Sequence, residues 1–144
     1  MKLTIICVGN KFDPHEEEWV STYVSRIKKF CQVSFVKIKD SPDVWQQIQK
    51  AIPEKSYLVL LDEKGKSQTT AQLSSWFERT LQQKPNITFV IGGSFGFDDG
   101  QRGAADYLLS LSSMTLPHRI ALLVFVEQLY RVLTIKAGHP YHHE

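Results

Sequence analysis

The chain has 144 residues, of which 42% are apolar and 22% charged, with a formal charge of +2. That length suits one domain, 1–144, with a proper core, and the balance excludes disordered and fibrous classes. So mild a charge permits a nucleic-acid partner without arguing for one, and no stretch approaches the roughly 18 apolar residues of a membrane helix.

The opening MKLTIICVGN is too short an apolar run for a secretory signal, so the expectation is a cytoplasmic protein with no membrane segment. Its two cysteines, Cys7 and Cys31, are then expected as buried free thiols, and neither has the spacing of a metal site. Leu3–Val8 reads as a strand broken by Gly9-Asn10. Asp13 as N-cap, Pro14 at the first helical position and Glu16 three residues after the cap predict a helix start. Trp19, Tyr23, Ile27 and Phe30 recur at helical spacing and are expected on its buried face. Val33–Ile38 alternates as a second strand, and Ser41-Pro42-Asp43 opens a helix through Trp45 and Ile48 that ends at Pro53. Tyr57–Leu61 is an almost wholly apolar third strand, expected to be central. It runs into Asp62-Glu63-Lys64-Gly65-Lys66, read as a charged, solvated turn. Ser67 or Thr69 caps the next helix, which carries Leu73, Trp76, Phe77 and Leu81, and Ile87–Ile91 forms the fourth strand.

The stretch FVIGGSFGFDDG, Phe89–Gly100, joins that strand to a glycine-rich loop. Glycine removes the Cβ that keeps a ligand from the main chain, and in open α/β sheets ligands sit at the carboxyl ends of strands. The loop is therefore a candidate ligand site. Gln101–Leu109 reads as a short helix with Ala104, Ala105, Leu108 and Leu109 inward, and Leu111–His118 as a partly polar segment. Arg119–Ala137 has no breaker and spreads Ile120, Leu123, Val124, Val126, Tyr130, Leu133 and Ile135 around most of its circumference. A helix apolar on more than one face needs cover on more than one side, which predicts a homodimer. Strands alternating with helices imply a parallel sheet with helices on both faces.

The chemical motifs are mostly negative. The glycines follow the fourth strand, where a dinucleotide fingerprint needs them after the first. Gly65-Lys66-Ser67 lacks the upstream glycine of a phosphate loop, since Leu60 stands there. Gly93-Ser94-Phe95-Gly96 is not a nucleophile elbow, and no cluster has metal-ligand spacing, so no metal is expected. What remains is backbone: loops after Leu61, after Ile91 and around Leu111–His118 that meet at one sheet edge, offering amides, carbonyls and apolar walls to an adenosyl or nucleotide ligand.

The opening MKLTIICVGN, LLDEKGK, IGGSFGF, LSLSSMTLPH, EQLYR and HPYH, in that order and across the whole chain, resemble the RlmH family of SPOUT methyltransferases. The resemblance implies an α/β fold with a C-terminal trefoil knot, a homodimer, and S-adenosyl-L-methionine as methyl donor. The implied reaction is N3-methylation of pseudouridine 1915 in 23S rRNA of the assembled ribosome. By motif, the implied cofactor contacts are Leu61, Gly92, Leu111, Ser112, Ser113, Met114, Thr115 and Leu116, with Leu61 and Leu116 sandwiching the adenine and Gly92 admitting the cofactor. His118, His139 and His142 are candidates for taking the N3 proton, and Tyr141 with His142 for contacting the target base, Tyr141 by stacking. The chain departs from the family where many relatives have Pro-Glu in GGPEG; Ser94-Phe95 stands here, so no loop carboxylate serves as base. His143 likewise replaces the basic residue that often follows HPYH. The alternative expectation is a non-catalytic dimeric nucleotide- or ribosome-binding module.

Overall fold

The computed structural model describes residues 1–9 and 11–143; Asn10, half of the expected break after the first strand, and Glu144 lie outside them. The elements among the described residues are β1 (Lys2–Val8), α1 (Pro14–Ile27), β2 (Gln32–Ile38), α2 (Val44–Ala51), β3 (Tyr57–Ser67), α3 (Thr70–Gln83), β4 (Asn86–Ile91), α4 (Asp99–Gly103), β5 (Tyr107–Ser110) and α5 (His118–Ala137). The five strands make one sheet, ordered β2-β1-β4-β3-β5 and parallel throughout.

Strand alternation divides the core between the two faces. Leu3, Ile5, Cys7, Val59, Leu61, Ile87, Phe89 and Ile91 join the layer made with α1, α3 and α5. Ile6, Val8, Leu58, Leu60 and Val90 join the opposite layer with Ile48 of α2 and with Phe97. Because β1 and β4 are covered on both faces, their sequences read as near-continuous apolar runs, each interrupted by one buried threonine, Thr4 and Thr88. Burial is complete for many of these side chains, at about 1.5–3 kcal/mol each, so the sheet is the rigid part of the molecule.

Helix α1 begins as its sequence predicts. The Asp13 carboxylate accepts the His15 and Glu16 N–H groups, both at 2.9 Å, and Glu16 Oε1 accepts the Asp13 N–H at 3.0 Å. For α3 the cap is Thr69, paired reciprocally with Gln72. Helix α5 packs between α1 and α3, burying Leu122, Phe125, Val126, Leu129, Tyr130 and Leu133, while Ile120 is exposed and Leu123, Val124 and Ile135 are half-buried.

Three expectations are corrected. The helix expected over 101–109 is confined to Asp99–Gly103, and Tyr107–Ser110 is a fifth strand. Long-range pairing decides this: the Asp106 carboxylate accepts the Leu58 N–H at 2.7 Å and the Asp106 N–H donates to the Leu58 carbonyl at 2.9 Å, aligning the segment with β3. The charged segment after Leu61 is also no plain turn, because Lys66 and Ser67 pair again with Leu109 and Ser110 after a register shift that starts at Leu61. Lastly, Trp19 is 58% exposed. Ile27 is buried as expected and Tyr23 and Phe30 are half-buried against the core, while Val20 and Val24 take the place expected for Trp19.

Candidate functional site

A parallel sheet delivers all its strand ends to one edge, and at the carboxyl edge the irregular second half of β3 and the segments after β4 and β5 line a cleft of about 570 Å³. That volume falls within the range of small-molecule sites. Each wall has its own origin.

The first wall is the irregular part of β3. The register shift pushes residues 62–65 out of the ladder, as bulges do where a side chain must be re-aimed. Asp62 thereby turns inward: its side chain is 3% exposed, Oδ2 accepts from Arg102 Nε at 2.8 Å, and Oδ1 accepts the Lys64 N–H at 2.8 Å. Arg102 also reaches Asp99 at 3.0 Å. The hydrogen bond to Asp62, more than any other influence, raises the Arg102 guanidinium above its ordinary range and keeps it charged. Far from being merely solvated, Asp62 is thus a fixed, paired anion that fastens β3 to α4. Glu63 is exposed and accepts from Thr115 Oγ1 at 3.1 Å, tying this wall to the loop after β5.

The second wall is Ile91–Gly96. Gly92 lines the cleft, yet a Cβ placed there would come within 3.0 Å of the Phe97 ring. The missing side chain at this position makes room for Phe97 in the core. The third wall is the loop from Leu111 to Pro117, held by its own hydroxyls: Ser110 Oγ donates to the Ser112 carbonyl at 2.8 Å and Ser112 Oγ accepts the Met114 N–H at 2.9 Å. Leu61 and Leu116 both line the space between. At its end, α5 starts behind Pro117 with no side-chain cap, so its first N–H groups are unpaired within the helix and favour an anion. His118 is the first residue of α5 and lines the cleft, its ring close to Gly9 at the end of β1.

Of the residues singled out in the sequence, Leu61, Gly92, Leu111, Ser112, Met114, Thr115, Leu116 and His118 therefore meet on one cleft; Ser113 is exposed in the same loop without lining it. Tyr141 and His142 lie elsewhere. After Gly138 the chain folds back along α5, and Tyr141 packs edge-on against Tyr130 with ring centres 4.7 Å apart, under the Arg131 guanidinium. Its hydroxyl donates to Glu127 Oε1 at 3.3 Å and lies 3.4 Å from the Tyr23 hydroxyl. Burial first, then the bond to Tyr23 and the Glu127 charge, push the Tyr141 phenol well up. Arg131 Nη1 lies 3.1 Å from His142 Nδ1, and His139 Nδ1 accepts the Tyr141 N–H at 3.3 Å. Tyr130 and Arg131 stand about 18 Å along the helix axis from His118, so one chain does not bring its tail to its own cleft. Asp62 and Arg102 were the cleft residues that sequence reasoning missed as a pair; the only signal was an acidic residue just past a buried strand.

Among the described residues, no three His, Cys, Asp or Glu side chains cluster as metal ligands, and no helix is long and apolar enough to cross a membrane.

Comparison with known proteins gives a consistent picture. A family model described as "Predicted SPOUT methyltransferase" matches residues 1–142. The chain is 41% identical, with 100% of both chains covered, to the Ribosomal RNA large subunit methyltransferase H of Polynucleobacter asymbioticus. It is 34% identical to the protein of that name from Syntrophotalea carbinolica, with 99% of each covered. Among solved structures it is similar to a methylase family protein from Neisseria gonorrhoeae, with a TM-score of 0.57 and 11% identity over 99% of this chain and 85% of that one. A methyltransferase from Legionella pneumophila, solved with bound SAM, gives a TM-score of 0.53 and 14% identity over 94% of this chain and 66% of that one. At such identities the structural likeness speaks for the fold.

Proposed function

The chain belongs to the SPOUT methyltransferases, in the family of the ribosomal RNA large subunit methyltransferases H, and on that membership we propose that it transfers a methyl group from S-adenosylmethionine to large-subunit rRNA. The acceptor in this reading is N3 of pseudouridine 1915 in 23S rRNA of the assembled ribosome. The observation that carries the reading is the convergence of three loops, distant in sequence, on one cleft. The family's trefoil knot belongs to the same reading, as the threading that would hold those loops together.

The residues present fit the methyl donor. Leu61 and Leu116 provide apolar walls for an adenine, the main chain of Gly92 and residues 111–115 provides amides and carbonyls for its edge and the ribose, and the uncapped start of α5 suits a carboxylate. When bound, S-adenosylmethionine supplies a methyl group on a positively charged sulfur. The protein's part is to hold the acceptor nitrogen in line with that group and to exclude alternatives, so positioning carries most of the rate enhancement and no covalent enzyme intermediate is needed. His118, the histidine of the cleft, takes the N3 proton at a ring nitrogen.

Tyr141 and His142 act in a homodimer, in the partner's cleft. Their distance from their own cleft and the incompletely covered outer side of α5 support this. With a charge of only +2, the enzyme recognises ribosome shape more than bulk phosphate charge. The non-catalytic alternative is not favoured, since the relatives are named as enzymes.

Calorimetry with S-adenosylhomocysteine tests the first step: micromolar or tighter binding is expected, and its absence sinks the enzyme reading. Ribosomes from a strain lacking this protein should then accept tritiated methyl from the purified chain. His142→Ala should lower turnover and leave S-adenosylhomocysteine affinity unchanged; full turnover removes the tail from the site.

A further inference from the structure

Phe95 is 97% exposed, the most open large apolar side chain of the described residues, and it stands on the lip of the cleft. Its setting is fixed. Two residues on, Phe97 is only 6% exposed and packs edge-on to Trp45, with ring centres 6.3 Å apart. Between the two rings, Gly96 takes a φ of 64°, and its N–H donates to the Gly93 carbonyl at 3.0 Å. That closes a tight turn which a residue with a Cβ adopts at a cost. On the other side Asp98 caps α4, accepting the Gln101 N–H at 2.8 Å. The loop is thus anchored inward by Phe97 and by the cap, and it presents Phe95 outward. Another wall carries a second open apolar side chain, Met114, 75% exposed, its N–H held by Ser112.

A protein partner is a poor match for this arrangement. Protein docking uses contiguous apolar patches, whereas the sequence around Phe95 is Ser94, Gly96, Asp98 and Asp99. The acidic side chains there are already engaged, Asp98 as the cap and Asp99 with Arg102 at 3.0 Å. A ring with both faces open, held by a stiff turn at the mouth of a cleft, instead suits a flat aromatic ligand that stacks without needing a particular base.

We propose that Phe95, with Met114 nearby, is a stacking platform for an unpaired nucleobase of the RNA substrate next to the nucleotide that enters the cleft. The proposal rests on the methyltransferase reading, in which the deeper part of the cleft is taken by the methyl donor. The platform is a source of substrate affinity that the chain's modest charge of +2 does not supply.

The test compares the unaltered protein with Phe95→Ala, Phe95→Leu and Phe95→Trp, using large ribosomal subunits from a strain deleted for the gene. The expected result for Phe95→Ala is a roughly ten- to hundred-fold rise in KM for the subunits at nearly constant kcat, as loss of one base-stacking contact implies. Phe95→Trp should restore the KM and Phe95→Leu should not. S-adenosylhomocysteine affinity and the oligomeric mass in solution should be the same in all four proteins. An unchanged KM in Phe95→Ala, or full rescue by Leu, overturns the stacking site. Weakened S-adenosylhomocysteine binding reassigns the ring to the cofactor, and a change in oligomeric mass reassigns it to a subunit contact; either outcome overturns the proposal. If the unaltered protein neither binds S-adenosylhomocysteine nor transfers methyl, the methyltransferase reading fails and the platform falls with it.

Discussion

Cys7 shows how one buried atom sets a measurable pH response. It is 0% exposed in β1, and removal from water pushes its thiol up to about 12 from an ordinary value of 9.0. The folded chain keeps this proton while an unfolded chain loses it near pH 9, so the contribution to stability is complete below that pH and is lost as pH rises toward 12. In neutral buffer a thiol reagent should therefore leave Cys7 untouched and label half-buried Cys31 slowly, its thiol also raised by burial. Both should react at once in denaturant; rapid labelling of two thiols in the native protein would contradict the packing. The raised Tyr141 phenol has the opposite kind of consequence, for chemistry: it stays protonated at working pH, so it donates hydrogen bonds and cannot be the base. Tyr141→Phe should leave the position of the pH–rate profile unmoved. A buried thiol was legible in the sequence, because an apolar strand surrounds it. The Asp62–Arg102 pair was not, since nothing local connects two charges forty positions apart.

Among elements, the β3–β5 pair governs the site. A Cβ at Gly65 would sit 2.6 Å from the Leu108 carbonyl carbon, a contact with backbone that no rotamer relieves. Gly65→Ala should lose about 1–3 kcal/mol of stability, read as a lower Tm, and should weaken S-adenosylhomocysteine binding because β3 and β5 each carry a cleft wall. Arg102→Ala leaves the buried Asp62 carboxylate without its cation and should lower stability, and Asp62→Leu in the same chain should recover part of the loss. Denaturant titration of the two variants checks both statements. The sequence made the capped helices readable, since Asp13-Pro14 with Glu16, and Thr69 with Gln72, satisfy helix ends locally. It hid β5, because four residues, Tyr107–Ser110, are too few to show a period of two, and Ala104, Ala105, Leu108 and Leu109 mimic a helical stripe. The polar half of β3 was hidden for a related reason: it pairs only at the sheet's edge, where no apolar alternation is required.

At the scale of the whole molecule, the alternation of strands and helices was enough to predict a parallel sheet covered on both faces, and the loops expected at its carboxyl edge do line a cleft there. The position of the tail was out of reach, because it depends on how far α5 extends and on how the chain returns after Gly138. The proposed shared site has a direct check. His118→Ala and His142→Ala should each be severely impaired alone, yet after subunit exchange a mixture should recover about a quarter of the original activity, since half the dimers are mixed and each of those has one intact site under two-fold symmetry. No recovery despite proven exchange would place His118 and His142 of the same chain in one site.

The sheet order also fixes a timetable for making the protein. Strand β5 pairs only with β3, although all of α3, β4 and α4 come between them in the chain. While the polypeptide is still emerging, β3 therefore presents a bare edge, and the core layer that α5 will cover stands open. Such surfaces invite association with other nascent chains. The third wall of the cleft follows the other two in the chain, so a ligand that needs all three walls binds only after the segment beyond β5 has emerged and β5 has paired with β3.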